Sequence, residues 1–290
     1  MKYIAPATVL TAVLAISPCC YGQSILFKPH QQTPNQTVTI RANSDASGAQ
    51  ITVMNGGKAQ KGSSSIKRQR AWERKIIGTG PTAKLQYVVL LDQTYREMNL
   101  GSKSDASTQS SGLVGQIIHG LRDDTQRWRL FLKGKSATNQ QAIDLVELES
   151  YENRRWFQDI PVKIGQTWFI EPEFIRNFIE RDMGPALIDA KMTFKSIEMI
   201  DGERTAVLPF TIKSQARKEE GTKFRTSSAI ANLSGTLYVA LGTMLDKKLT
   251  MSGTLTTTVR QSGTSSVVKS PVTYIVTKTV TPNTAPNTAR

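Results

Sequence analysis

A chain of 290 residues, 39% of them hydrophobic, holds enough apolar material for a sizeable core, as one large β domain or two smaller ones. With only Cys19, Cys20, His30 and His119 available, a Cys/His zinc site is excluded, and no H-E-x-x-H, G-x-S-x-G or G-x-x-x-x-G-K motif occurs. The formal charge of +14 favours anionic partners such as lipid head groups or acidic polysaccharide, with plain solubility as the competing reading.

Residues 1–22 (MKYIAPATVLTAVLAISPCCYG) combine Lys2, an apolar run from 3 to 16 and small residues, the pattern of a secretory signal peptide cut after Gly22. Lipid anchoring at Cys19 or Cys20 is the disfavoured alternative. Pro18 directly precedes Cys19, and Ser17 stands three before Cys20 where leucine is wanted. A cut after Gly22 leaves a cysteine-free mature chain, folding on core burial alone in the periplasm or outside the cell.

Residues 24–36 read as an extended lead-in. Residues 37–42 (TVTIRA) alternate as a first strand and 50–54 as a second, followed by the turn Asn55-Gly56-Gly57. Seven cations against Glu73 alone occupy 58–75; weak alternation there predicts a strand over 64–77 whose charged face lies in water. Residues 83–99 form a stronger candidate, with Leu85, Tyr87, Val89 and Leu91 on one face. The polar tract 101–111 is expected as a loop or mobile edge. Residues 113–120 and 126–134 pair as a hairpin with Trp128, Leu130 and Leu132 on one face.

Thr138 and Gln141 match a capping box ahead of Ala142, Leu145, Val146 and Glu149, which predicts a helix over 139–151 lying on one sheet face. Pro161 blocks its continuation, and Gly165 turns the chain into a strand opening at Thr167. Residues 172–183, with Phe174, Ile175, Phe178 and Ile179 at helical spacing, form a second short helix ended by Gly184-Pro185. From there the pattern is β: a hairpin of 186–200 and 203–213 around Asp201-Gly202, then 228–241, 244–261 and 267–280 as a meander. Leu249, Met251, Leu255 and Val259 share one face, and Val272, Tyr274, Val276 and Val280 another. Residues 281–290 read as a disordered tail. The sum is a mainly β (α+β) fold, a strongly curved antiparallel sheet or half-barrel with two short helices. It forms a single domain over 23–280: polar strands 37–134, helical centre 138–183, β-meander 186–280. Long consecutive strands without crossovers exclude a parallel α/β sheet.

Ile160-Pro-Val-Lys-Ile-Gly-Gln-Thr-Trp168, with a helix before it and a β-meander after it, resembles an uncharacterised family of exported bacterial proteins marked by a P-x-x-x-G-[DE]-[ST]-W-like segment. Gln166 departs from the acidic residue usual there. The resemblance implies an architecture related to the periplasmic lipoprotein carriers of the LolA, LolB and LppX type, with a curved sheet cupping helices. It implies no catalytic residues.

Chemistry-bearing motifs are sparse. Ser64-Ser-Ile-Lys67 fits S-x-x-K but lies in a β-patterned stretch without K-T-G or S-D-N downstream. Asp123-Asp124 and Glu147/Glu149 read as solvated clusters rather than as paired acids or a cation site. The expectation is therefore a non-enzymatic, cofactor-free and metal-free exported protein that binds or carries an apolar or amphipathic ligand of the cell envelope. Its pocket should lie beside Leu145, Trp168, Phe174 and Phe178. The alternative is an envelope interaction protein that contacts anionic lipid or polysaccharide through Lys67, Arg68, Arg70, Trp72, Arg74 and Lys75. Export argues against nucleic acid as a partner, and no transmembrane segment is expected after the leader is removed.

Overall fold

The structure, a computed structural model, describes residues 24–28, 30, 33–34, 36–79, 82–179, 186–220 and 225–281, excepting the side chains of 176–179, 186 and 220. The leader 1–22, the turn at Gly184-Pro185 and the tail from 282 lie outside the described residues. The strands are β1 (Ser24–Ile25), β2 (Thr37–Asp45), β3 (Ala49–Asn55), β4 (Lys58–Ile77), β5 (Lys84–Leu100), β6 (Lys103–Ser110), β7 (Ile117–Arg122) and β8 (Trp128–Leu132). Helix α1 (Asn139–Glu152) is followed by β9 (Val162–Lys163), β10 (Thr167–Phe169) and α2 (Pro172–Ile179). The remaining strands are β11 (Ala186–Thr193), β12 (Ser196–Ile200), β13 (Glu203–Glu220), β14 (Arg225–Ala240), β15 (Asp246–Gln261) and β16 (Thr264–Thr281).

Among the described residues, fourteen strands join one antiparallel sheet in the order β10-β11-β13-β14-β15-β16-β2-β4-β5-β7-β8, with β3, β6 and β12 paired beside this path. The last strand closes on the first long one, with Val276 opposite Ala42, so the strands before and after the helical centre share one sheet. A two-stranded patch, β1 with β9, ties the lead-in to the centre. Ile25 and Phe27 are buried there, and Phe27 stacks on Phe157 at 5.0 Å between ring centroids.

Alternation decides which face turns inward. Leu208, Phe210 and Ile212 of β13, Leu249 and Met251 of β15, and Tyr274 and Val276 of β16 are all buried, while their neighbours are more exposed. The hairpin turn at Asp201-Gly202 has positive φ at both residues (52° and 75°), the conformation that suits the strand twist. The sheet is strongly curved, because α1 and the loop behind it reach strands far apart in the strand order. Glu147 bonds β4, Asn153 bonds β8, Arg154 bonds Asp246 at the start of β15, and Trp156 packs on Phe210 of β13.

The capping box forms as expected: Thr138 accepts from Gln141 N, and the Gln141 side chain accepts from Thr138 N. The helix spans Asn139–Glu152, close to the expected 139–151, and its C-cap Asn153 has a specific task. Its Oδ1 accepts from Trp128 N at 2.8 Å and its Nδ2 donates to Trp128 O at 2.9 Å, so the side chain pairs with β8 as a neighbouring strand would. Glu149 Oε1 likewise accepts from Leu130 N at 2.6 Å. Because β8 ends the sheet, these contacts cover a backbone edge that would otherwise invite foreign strands.

Several expectations change. The stripe on α1 is not apolar: Ala142 and Val146 are exposed, and Leu145 is the helix's buried residue. Polar contacts hold the helix alongside the packing of Leu145, Leu148 and Tyr151. Residues 103–110 form a strand, β6, wholly exposed and paired with β5. The region 186–200 breaks into β11 and β12 at Phe194-Lys195, both pairing with β13. In β5 a bulge opposite Ala71/Trp72 shifts the register, so Leu91 leaves the face of Leu85, Tyr87 and Val89 and Asp92 enters it. The inward face of β4 is not in water: Trp72 is buried, and Arg68, Arg70 and Arg74 are ion-paired to carboxylates.

Candidate functional site

Helix α1 lies in the hollow of the sheet, held by a ladder of ion pairs from β4. Arg68 makes a bidentate pair with Asp92 (2.8 and 2.9 Å) and reaches Glu147 at 3.0 Å. Arg70 bonds Glu147 Oε1, one of the two oxygens that Arg68 reaches, at 2.6 Å, and Arg74 pairs with Glu152 at 2.8 Å. Tyr87 donates its hydroxyl hydrogen to the second Glu152 oxygen. The register explains the ladder: Arg68, Arg70, Trp72 and Arg74 alternate onto one face, and burying the Trp72 ring takes the three guanidinium groups inward with it. The Trp72 ring meets Tyr151 of α1 edge-on at 5.3 Å. Burial alone would raise the Glu147 carboxyl, but Arg70 and Arg68 outweigh it and hold it below the usual range.

Beside this ladder the helix does not fill the hollow. A cavity of about 300 Å³ remains between α1 and the sheet. One wall is apolar: Leu233, Leu249, Met251, Leu255, Val272 and Val276, all on inward positions of β14, β15 and β16. The other wall carries Arg68, Arg70, Glu147, Tyr151 and Arg154. Trp156 and Phe174 close one side, their rings edge-to-face at 4.6 Å. A second cavity, about 570 Å³, lies on the far side of Arg154, Trp156 and Asp246, which line both.

A buried trio stands where the cavities meet. Arg154 bonds Asp246 Oδ2 at 2.5 Å, Lys278 bonds Asp246 Oδ1, and Arg154 lies 3.9 Å above the Tyr151 ring. Burial, then the neighbouring Arg154 charge, pushes the Lys278 ammonium down to about 8, against the pull of Asp246. Burial would raise the Asp246 carboxyl, but Lys278 and Arg154 hold it well below the usual carboxylate range. Burial pushes the Tyr151 hydroxyl up to about 12. Among the described residues, the indole nitrogens of Trp156 and Trp72 are buried without a hydrogen-bond partner. His30 lines the second cavity. Its Nδ1 sits 2.7 Å from the Thr243 carbonyl oxygen, and burial lowers its pKa, so the ring is neutral near pH 7.

The residues expected around a pocket separate. Phe174 lines the first cavity; Leu145 and Trp168 are buried in the core away from it, Trp168 donating its Nε1 hydrogen to the Trp156 carbonyl at 3.0 Å. The Phe178 side chain lies outside the described residues. Of the six residues expected at an anionic surface, Arg68, Arg70 and Arg74 are ion-paired to carboxylates and Trp72 is buried. Lys67 is exposed, 4.0 Å from Asp45, and Lys75 is half-buried. Periodicity did not single out Asp92, Arg154, Trp156, Asp246 or Lys278. For Lys278 a signal existed, because it shares the parity of Val276 and Val280.

Among the described residues no group of three His, Cys, Asp or Glu side chains is placed to hold a metal ion, and no helix is long and apolar enough to cross a membrane. No family model and no curated protein matches the chain. Among solved structures, an outer membrane channel from Pseudomonas putida F1 aligns with a TM-score of 0.24 at 7% identity, over 87% of this chain and 97% of that one. A DUF1329 family protein from Desulfovibrio piger ATCC 29098 aligns with 0.14 at 13% identity, over 84% and 86%. Likenesses at this level carry no argument about function, and the site is read on its own geometry.

Proposed function

We propose that the chain is a non-enzymatic binding or carrier protein that holds an amphipathic ligand in the cleft between α1 and the concave face of the sheet. The observation that carries this reading is the two-sided first cavity, with a mainly apolar wall facing a charged one across about 300 Å³. A concave, mainly apolar pocket with a few oriented polar groups is the usual form of a small-molecule site. Exported, periplasmic or secreted placement rests on the leader pattern, and the sheet shared by both strand blocks supports treating 23–280 as one domain. The carboxylates nearest the cleft are tied to guanidinium or ammonium groups, which suits structural ion pairs better than acid–base work. Contact with an anionic surface through β4 is not favoured, since its inward arginines already hold α1.

The test is a titration of the full chain with a fluorescent dodecyl-chain probe below its micelle concentration. Saturable binding is expected, with loss of at least ten-fold in affinity in Leu255→Trp, which fills the apolar wall. Binding unaffected by that substitution, in a variant whose circular dichroism matches the parent, would place the ligand elsewhere and refute the reading.

A further inference from the structure

The chemistry of the ligand's head group can be read from the junction of the two cavities. Arg154 and Lys278 are both buried there, with side chains 13% and 8% exposed, and they share the single carboxylate of Asp246. The nearby Glu152 is already occupied by Arg74 and Tyr87. The second cavity carries the same sign of charge, with seven cations against four carboxylates on its lining. Trp156 lines both cavities, is 4% exposed, and has a buried indole N–H with no acceptor among the described residues. Leaving such a donor buried without an acceptor is unfavourable.

Resting on the cleft reading above, we propose that the ligand is an anionic amphiphile. Its carboxylate or phosphate head lies at the Arg154–Lys278–Trp156 junction, and its apolar chain runs along Leu233, Leu249, Met251 and Val272. An anion at the junction offers an acceptor to Trp156 Nε1–H and supplies the second negative charge that two cations sharing one carboxylate call for. A neutral alcohol head would meet the indole but leave the charge unanswered. A small inorganic anion would answer the charge but leave the aliphatic wall bare. Burial first, and then the Arg154 charge beside it, depresses the Lys278 ammonium at this junction.

The experiment compares dodecanoate, dodecyl phosphate, dodecanol and inorganic phosphate by calorimetry on the full chain, all below micelle concentrations. At least one anionic amphiphile is expected to bind ten-fold or more tightly than dodecanol, and the tighter of the two identifies the head. Lys278→Met, which removes a buried charge, should lower the anion's affinity about ten-fold and leave dodecanol unchanged. Trp156→Phe, which keeps the aromatic packing but removes the donor, should weaken the anion several-fold. Equal affinity for the anions and dodecanol overturns the anionic head while the cleft reading stands. No binding of any dodecyl compound overturns both. Inorganic phosphate binding as tightly as dodecyl phosphate overturns the role of the chain.

Discussion

Replacing Asp246 with asparagine tests the buried trio quantitatively, because the loss should depend on pH in a way set by Lys278. The substitution leaves Arg154 and Lys278 side by side without a counter-charge, in a site where Asp246 itself is only 16% exposed. Removing one partner of a buried pair costs about 3–5 kcal/mol. Part of that cost can be relieved, since lysine can shed its proton and arginine cannot. A pH of 7 lies one unit below the folded value of about 8 for Lys278, so forcing the ammonium neutral there costs about 1.4 kcal/mol. At pH 9 it is already mostly neutral in the parent, and this share of the loss disappears. The sign for the parent follows from the same value. A lysine depressed from 10.5 to about 8 binds fewer protons folded than unfolded over that window, so stability contributed at this site rises with pH between 8 and 10.5. Urea unfolding of parent and Asp246→Asn at pH 7 and pH 9 should show a loss of several kcal/mol at pH 7, smaller by about 1.4 kcal/mol at pH 9. In a Lys278→Met background the difference between the two pH values should vanish. A pH-independent loss, or a total loss under about 1 kcal/mol, would refute the reasoning.

Two further outcomes follow from the packing. Glu147 is held below its ordinary value of 4.5, so its contribution is present above that pH and is lost as pH falls through the lower folded value. Hydrogen exchange should therefore show α1 amides losing protection, as pH falls below 4.5, before those of β13 and β14; simultaneous loss across the sheet would contradict this order. At Gly235 an added Cβ would sit 2.1 Å from the Thr250 carbonyl oxygen and 2.5 Å from Phe210 Cζ. Gly235→Ala should then cost about 1–3 kcal/mol in thermal or urea unfolding, and a neutral result would mean that the β14–β15 spacing differs from the one described.

How far the fold was legible can be judged residue by residue. Alternation in 203–280 placed Leu208, Phe210, Leu249, Met251, Tyr274 and Val276 on the buried face, because a half-buried antiparallel strand writes its burial directly into period two. Thr138 and Gln141 likewise announced the helix start, since a capping box is a local contact. The site was harder to see. Arg68, Arg70 and Arg74 share the parity of Trp72, so their burial was readable, yet only carboxylates 24 to 79 residues away make it tolerable. Asp92 was hidden by the bulge, which reverses parity after Val89. Lys278 interrupts an otherwise apolar set; that interruption, passed over as a gap, is the one local sign of the trio. Arg154 and Trp156 lie in a loop without periodicity, and only the tertiary fold brings them together.

Calorimetric titration of the full chain with a dodecyl amphiphile tests the central claim most directly. One site per chain is predicted, with a negative heat-capacity change from burial of the alkyl chain against β14, β15 and β16. Leu255→Trp should weaken that binding at least ten-fold while leaving the unfolding transition in place. A parent chain that gives no saturable heat, or an affinity that Leu255→Trp leaves unchanged, would contradict the account.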